Sequence, residues 1–279
     1  MSQRISAMVR SVTVLSAVAA LAASGVGASA ESWASDDNDR GGMIHYEFDA
    51  HSLPGAQQKE VQGTLGEQES CEFEFGSLAN TPEGHVEVGA EVSFKPDVCV
   101  ITYAVAVYEI DEVPDVVIEE HFDGEDRFDS FTAGAVAERE AAEASKDAEV
   151  MQLHSASLAT RYRDPLFITV TRATTTLDWT GTSSCISAAT PSHDTYHLGA
   201  TGWSRTSMTP TFTFDCAQAY ANTDARFMNS GFCPTGNTFT NHTGTRVYGY
   251  PGGPSDYSIT MTKSGGCNDL LHSNYTWTP

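Results

Sequence analysis

The chain has 279 residues and a net charge of −22 at pH 7. Residues 31–156 hold 30 Asp and Glu against 6 Lys and Arg, whereas residues 157–279 hold 7 of each and no Glu. Such an excess of negative charge repels phosphate and anionic lipid, which argues against nucleic acid and membrane surfaces as partners. The change in composition predicts two regions with a border near residue 156.

The first 30 residues have the three parts of a secretory signal peptide: a basic start, an apolar run over residues 12–26 and the small residues Ala28-Ser29-Ala30. We expect cleavage after Ala30 and a secreted, extracellular protein. Residues 31–42 are polar, acidic and end in two glycines, which is typical of a flexible tail.

Six cysteines in an exported chain predict disulfide bonds. Two lie in the acidic region and four in the neutral region, so each region is expected to pair its own. The four cysteines of the neutral region allow three pairings. We favour the pairing that closes an Asn-rich turn between two strand-like runs, and assign the other by elimination. The expected bonds are Cys71–Cys99, Cys216–Cys233 and Cys185–Cys267.

Residues 43–130 form an acidic, β-rich region. Residues 71–75 alternate apolar with acidic side chains, the period of a half-buried strand. Residues 98–110 are a longer run of β-branched and aromatic residues, which we expect to be the central strand.

Residues 131–158 are rich in Ala and Glu and contain no Pro, which favours a helix that links the two regions. The alternative is a mobile linker with partial helicity.

Residues 159–279 contain short runs rich in Thr, aromatic and β-branched residues, separated by turn-like clusters such as residues 191–194 and 222–224. This pattern predicts an antiparallel β-sandwich or barrel. The expected fold class is mainly β: a C-terminal β domain stabilised by disulfides, preceded by the small acidic β-rich region and the Ala/Glu-rich helix.

The neutral region resembles a set of uncharacterised secreted proteins common in actinobacteria. The residues that carry the resemblance are Tyr162, Asp164-Pro165, Trp179, Cys185, Gly202-Trp203, Cys216, Phe232-Cys233, Gly265-Gly266-Cys267 and Leu270-Leu271-His272, with an upstream segment at residues 94–99. The resemblance implies secretion and a disulfide-bonded β domain, and it implies no activity.

Two groups of residues have the composition of weak metal sites. The spacing of His193 and His197 would suit a metal on a helix, but Pro191 precedes them, so an ordinary polar loop is expected. The second group offers carboxylate oxygens, which hard cations prefer. There we expect a solvated acidic loop, with weak calcium binding as the alternative and no other cofactor. Its residues are Asp123, Glu125, Asp126 and Asp129.

Sequence signatures of catalysis are missing. The chain has no G-x-S-x-G and no Ser-x-x-Lys motif. A glycosidase needs two carboxylates, and in the neutral region the candidates are Asp178 and Asp215, whose neighbours suggest strand ends where Asp caps a turn.

The aromatic residues of the neutral region suggest a binding surface, because a flat ring can stack on a sugar. We expect Trp179 and Trp203 in the core, and the ligand-binding candidates on the surface. These candidates are Tyr248, Tyr250, Tyr275 and Trp277.

Together these features predict a secreted, non-catalytic β protein whose neutral domain binds an extracellular ligand, with a glycan or cell-wall polymer as the candidate. One alternative is a small secreted hydrolase, which requires a cleft that holds a carboxylate or His with a shifted pKa. Another is that residues 31 to about 155 are a pro-region released by proteolysis.

Overall fold

The computed structural model describes residues 53–67, 70–76, 81–122, 128 and 151–279. These residues form thirteen strands and one α-helix, which lies between the fifth and sixth strands. The elements are β1 (Gln57–Gln62), β2 (Thr64–Leu65), β3 (Cys71–Gly76), β4 (His85–Lys95), β5 (Val100–Glu109), α1 (Asp115–His121), β6 (Gln152–Arg163), β7 (Thr169–Gly181), β8 (Ile186–His197), β9 (Trp203–Phe214), β10 (Ala219–Cys233), β11 (Gly236–Gly249), β12 (Ser255–Gly265) and β13 (His272–Thr278).

Two antiparallel sheets pack face to face as a sandwich. The seven-stranded sheet has the order β1-β5-β4-β13-β6-β7-β8, and the six-stranded sheet has the order β2-β3-β12-β11-β10-β9. The core between them includes Leu158 and Trp277 from the first sheet and Phe73 and Phe227 from the second. The predicted fold class, a mainly β protein with a disulfide-bonded antiparallel sandwich or barrel, is confirmed, and the structure shows the sandwich.

Alternation of apolar and polar residues explains several strands. In β3, Cys71, Phe73 and Phe75 are buried, and the glutamates between them are exposed. A strand with this period can cover a core with one face while the other remains hydrated.

A second apolar layer covers the outer face of the seven-stranded sheet. Val117 of α1 packs with Val86 and Val88 of β4 and with Leu53. Val86 and Val88 of β4 pack against α1 on the outer face of the sheet. Because side chains alternate along a strand, Glu87 and Glu91 lie on the inner face, within the sandwich. This strand is therefore buried on both faces.

Buried threonines surround a histidine in the middle of the sandwich. His242 lies 2.7 Å from Thr160 Oγ1 through Nδ1 and 3.2 Å from Thr171 Oγ1 through Nε2. We call this group the threonine–histidine network. Its members are fully buried and are Thr160, Thr171, Thr175, Thr223, Thr240, Thr245 and His242.

The acidic and neutral regions share both sheets. β3 pairs with β12 and β4 pairs with β13. The described residues, from Leu53 to the end of the chain, belong to one compact unit. The border that the sequence predicted near residue 156 therefore separates two compositions and does not separate two sheets, because strands from the N-terminal part pair directly with the last two strands.

Two strand assignments also differ from the sequence prediction. Residues 152–158, expected at the end of a helix, begin β6 and pair with β7. Residues 98–110 were expected to be the central strand, but β5 is second from the edge and β13 is in the middle. Residues 1–52 and 131–150, which include the expected signal peptide, tail and most of the linker, lie outside the described residues.

Two clusters expected to be turns lie inside long strands. Residues 191–194 belong to β8, and residues 222–224 belong to β10 at a point where its pairing with β11 shifts register. β8 and β9 are the edge strands of their sheets and carry Pro191 and Pro210. An edge strand tolerates a missing N–H, and proline there hinders pairing with another chain.

The disulfide bonds confirm one of the three expected pairings and correct the other two. Cys71–Cys99 is confirmed, but the neutral region contains Cys185–Cys216 and Cys233–Cys267. The predicted bond between Cys216 and Cys233 is wrong because β10 runs between them as one strand. That strand separates their Cα atoms by roughly 50 Å at about 3.3 Å per residue.

Candidate functional site

The aromatic candidates divide into core and surface residues. Tyr275 and Trp277, expected on the surface, are 4% and 1% exposed. They do share one strand face, but that face points into the core, where the ring of Trp277 lies 4.9 Å from that of Tyr257. Their assignment to an exposed surface is therefore wrong, whereas Trp179 and Trp203 are buried as expected.

Tyr248 and Tyr250 are half-buried at the end of β11. Tyr248 packs against Tyr220 of β10, with 5.3 Å between the ring centres, and partial burial raises its pKa. The backbone carbonyl of Tyr250 accepts a hydrogen bond from Trp179 Nε1 at 3.1 Å. Tyr248 is thus part of an aromatic pair, and Tyr250 anchors the turn that follows.

The register of the six-stranded sheet places polar side chains beside this aromatic pair. Tyr220 is opposite Tyr248, and Asn222 is opposite Arg246. Arg246 donates to Glu74 Oε1 of β3 at 3.2 Å. We call Tyr220, Tyr248, Asn222, Arg246 and Glu74 the tyrosine face.

Asn222 has an unused acceptor on the tyrosine face. Its Nδ2 donates to Asp224 at 3.2 Å. Its Oδ1 is buried and has no hydrogen-bond partner within the described part of the chain.

A cleft of about 160 Å³ opens where the edges of the two sheets meet, between β1 and β3. Glu74 lines this cleft and is also part of the tyrosine face, so the two surfaces adjoin. The ring of Phe75 lies 4.6 Å from that of Tyr103 and 6.5 Å from that of Tyr275. The lining residues are Lys59, Val61, Glu74, Phe75, Gly76, Tyr103, Val105 and Tyr275.

Hydrogen bonds inside the core fix the two tyrosines of the cleft. Tyr275 donates to Glu87 Oε1 at 2.7 Å, and Tyr103 donates to Ser273 Oγ at 2.8 Å. Burial raises the pKa of both tyrosines well above the ordinary value. Because the hydroxyl groups are bonded inward, the cleft is left with the carbon atoms of the rings.

Two buried glutamates lie behind the cleft. Glu87 accepts hydrogen bonds from Tyr257, Tyr275 and, at 2.7 Å, from Thr81. Glu91 lies 2.9 Å from Lys263 Nζ. The sequence suggested nothing of this, because glutamates that alternate with valines in β4 are typical of a strand with its acids in water.

The other site candidates have structural roles or lie outside the described residues. Asp178 accepts a hydrogen bond from Ser155 at 2.6 Å, and Asp215 accepts from the backbone N–H groups of Ala217 and Gln218. Asp215 therefore caps a turn, as expected, whereas Asp178 lies within β7 and bonds to a side chain of the neighbouring strand β6. The four acidic residues between 123 and 129 are not among the described residues.

His193 and His197 lie on β8 rather than on a helix or loop. Because the two residues are four apart on an extended strand, their Cα atoms are separated by about 13 Å. This distance is too long for both imidazoles to bind one metal ion. His193 contacts Thr223 at 2.8 Å. Within the described ranges, no three His, Cys, Asp or Glu side chains form a group that could hold a metal.

In the described part of the chain, no helix has the length and apolar character needed to cross a membrane. Comparison of the chain with models of protein families, with curated proteins and with solved structures gave no match.

Seven of the eight residues that line the cleft were not predicted as site residues, among them Lys59, Glu74, Phe75 and Tyr103. Each is ordinary in its own strand, and they meet only because β1 pairs with β5 at one sheet edge while β3 pairs with β12 at the other. No local sequence signal identifies such a meeting point.

Proposed function

We propose that this protein is an extracellular, non-catalytic binding module that takes one sugar ring of a glycan into the cleft between β1 and β3. The observation that carries the proposal is the lining of the cleft. Three aromatic rings form its wall, and Lys59 and Glu74 are its charged residues. Ring carbons suit the C–H face of a sugar, and charged groups form hydrogen bonds with its hydroxyls.

The size of the cleft favours one ring rather than a larger ligand. Pockets for drug-sized molecules usually measure about 300–1,000 Å³, and this cleft is about 160 Å³. The rest of a longer glycan would lie outside it, along the tyrosine face. There the half-buried ring of Tyr248, packed against Tyr220, supplies a second stacking surface.

The same lining favours binding over hydrolysis. A glycosidase requires two carboxyl groups at the bond that is cleaved. Among the described residues that line the cleft, Glu74 is the only one with a carboxylate. Its side chain is 70% exposed and forms a salt bridge with Arg246.

Three disulfide bonds support an oxidising, extracellular location. The signal-like first 30 residues point the same way. A pro-region is a weaker candidate, because release of residues 31 to about 155 would remove β3 and β4 from the two sheets.

A glycan array of plant, animal and bacterial oligosaccharides, probed with the full secreted chain, tests the proposal. Binding should then be measured by calorimetry for the best oligosaccharide. We expect Lys59→Ala and Glu74→Gln each to weaken binding about fivefold to tenfold, since each removes a charged hydrogen bond of about 1–1.5 kcal/mol.

Matched variants control for charge and for stability. Lys95→Ala removes a lysine from β4, and Glu72→Gln changes a second exposed glutamate of β3; neither residue lines the cleft. Both should bind as the wild type does. Binding to no glycan on the array, or equal losses in the cleft and control variants, would overturn the proposal.

A further inference from the structure

A lysine and a glutamate from different sheets meet in the core. Nζ of Lys263 on β12 lies 2.9 Å from Oε1 of Glu91 on β4, and the two side chains are 1% and 3% exposed. β12 belongs to the six-stranded sheet and β4 to the seven-stranded sheet. An amine and a carboxyl group are therefore held together across the sandwich, away from bulk water.

Further contacts fix both groups. Lys263 Nζ donates to the carbonyl oxygen of Leu271 at 2.6 Å and lies 4.2 Å from the centre of the Phe94 ring. Glu91 Oε2 accepts hydrogen bonds from the backbone N–H of Ser273, at 3.0 Å, and from the Ser273 hydroxyl. One carboxyl oxygen thus faces the amine, and two donors polarise the other.

We propose that Lys263 and Glu91 become joined by an intramolecular amide bond between Nζ and Cδ. In the first step of the proposed reaction a proton passes from Nζ to Oε1 across their 2.9 Å contact, which gives an amine and a carboxylic acid. The nitrogen lone pair then attacks Cδ. Fixed proximity replaces the entropy cost of bringing the two groups together.

The remaining steps conserve atoms and electrons. Oε2 takes the negative charge of the tetrahedral intermediate and is stabilised by the two donors of Ser273, as in an oxyanion hole. A second proton passes from the nitrogen to Oε1, the bond from Cδ to Oε1 breaks, and water leaves. One ammonium and one carboxylate give one amide and one water, without oxidant or reductant.

Glu87 provides a comparison within the same strand. It is fully buried, as Glu91 nearly is, but its partners among the described residues are the hydroxyl groups of Tyr257, Tyr275 and Thr81. These contacts offer no amine, so Glu87 remains a carboxyl group.

The amide would add a covalent link between the sheets beside an existing disulfide. Lys263 is opposite Cys71 in the pairing of β12 with β3, and Cys71 is bonded to Cys99, just before β5. One end of the sandwich would then be held by two covalent links between the sheets.

Tandem mass spectrometry of the secreted full chain tests the bond. The protein is reduced, alkylated, unfolded and digested with trypsin, which does not cleave between Lys95 and Pro96. We expect peptide 60–127 joined to peptide 247–279, with no cleavage after Lys263 and a mass one water below the sum of the two. Recovery of free peptides 60–127 and 247–263 from folded protein would overturn the proposal and leave a buried ion pair.

Two variants separate this loss of water from others, such as cyclisation of an N-terminal glutamate. Lys263→Arg keeps the positive charge, cannot form the amide and should regain one water in intact mass. Glu91→Gln should lose one ammonia instead of one water. If neither variant folds, the digest of the wild-type protein still decides, and a water loss that Lys263→Arg retains counts against the bond.

Discussion

The core of the sandwich has two polar regions that are stabilised in different ways. Under β6, β7, β10 and β11, the threonine–histidine network consists of uncharged groups that satisfy one another over distances such as 2.7 Å between Thr175 and Thr223. Under β4, β12 and β13, Glu87, Glu91 and Lys263 bring ionisable groups into the core. The comparison shows that neutral polar groups can share hydrogen bonds among several neighbours, whereas the buried amine of Lys263 and the carboxyl group of Glu91 each depend on the other.

The largest expected effect comes from removal of that partner in the charged region. Lys263→Met leaves the carboxyl group of Glu91 buried without its amine, which should lower the free energy of unfolding by about 3–5 kcal/mol. Urea denaturation followed by fluorescence measures the change. The double variant Lys263→Met with Glu91→Leu should recover more than half of the loss. A loss below about 1 kcal/mol for the single variant would show that the partner is unimportant.

An intermediate effect is expected from pH in the neutral region. Burial lowers the pKa of His242 from its ordinary value of 6.5 to about 3. Above pH 6.5 this histidine is uncharged in the folded and unfolded states, so its contribution to stability is complete. As the pH falls below 6.5, the unfolded chain binds a proton that the folded chain rejects, and stability falls by about 1.4 kcal/mol per pH unit until the folded pKa is reached.

Urea denaturation at pH 7, 6 and 5 measures this slope. Burial also lowers the pKa values of His121, His154, His193 and His272. For the wild type, the slope of the unfolding free energy against pH should therefore correspond to uptake of more than one proton on unfolding. His242→Gln should reduce the slope by about one proton, and a change at the exposed His197 serves as the control. If the slope for His242→Gln equals that of the wild type, His242 is not the buried, uncharged group that this prediction requires.

The smallest effect is expected from a single hydroxyl of the network. Thr175 donates to Thr223 and lies 2.6 Å from the carbonyl oxygen of Thr245. Thr175→Val should therefore cost about 1–2 kcal/mol. The double variant with Thr223→Val should cost less than the sum of the two single variants, because neither hydroxyl is then left without the other. Additive losses in urea denaturation would show that the two threonines act independently.

Strand β4 explains why the sequence predicted the fold class more accurately than the site. Its alternation of Val and Glu correctly indicates a strand, but alternation alone does not tell which face meets which layer. Here the valines pack under α1, and Glu87 and Glu91 enter the sandwich. Strand β13 shows the converse, since its sequence is largely polar and every one of its residues is buried.

The cleft and the pairing of the four cysteines in the neutral region could not be predicted for a related reason. Both depend on which strands become neighbours in space, and several such pairings suit the same local pattern. Tyr248, one of the predicted surface residues, is half-buried beside Tyr220, and nothing in the sequence indicated that Glu74 of β3 lies against Arg246 of β11. The disulfide prediction also failed because the sequence did not show how long β10 is. This unbroken strand, Ala219–Cys233, keeps Cys216 away from Cys233.

By itself the sequence determined the β-rich character of the chain, an antiparallel sandwich or barrel, and the pairing of Cys71 with Cys99. The first two arise from residue preferences and from side-chain alternation over a few neighbours, which each strand carries within itself. The third follows because the acidic region has two cysteines and so allows one pairing within it. The tertiary structure alone decided that the acidic and neutral regions share both sheets, that β13 lies at the centre, and that Lys263 meets Glu91. These outcomes require contacts between residues far apart in the chain, and a local pattern is compatible with many such contacts.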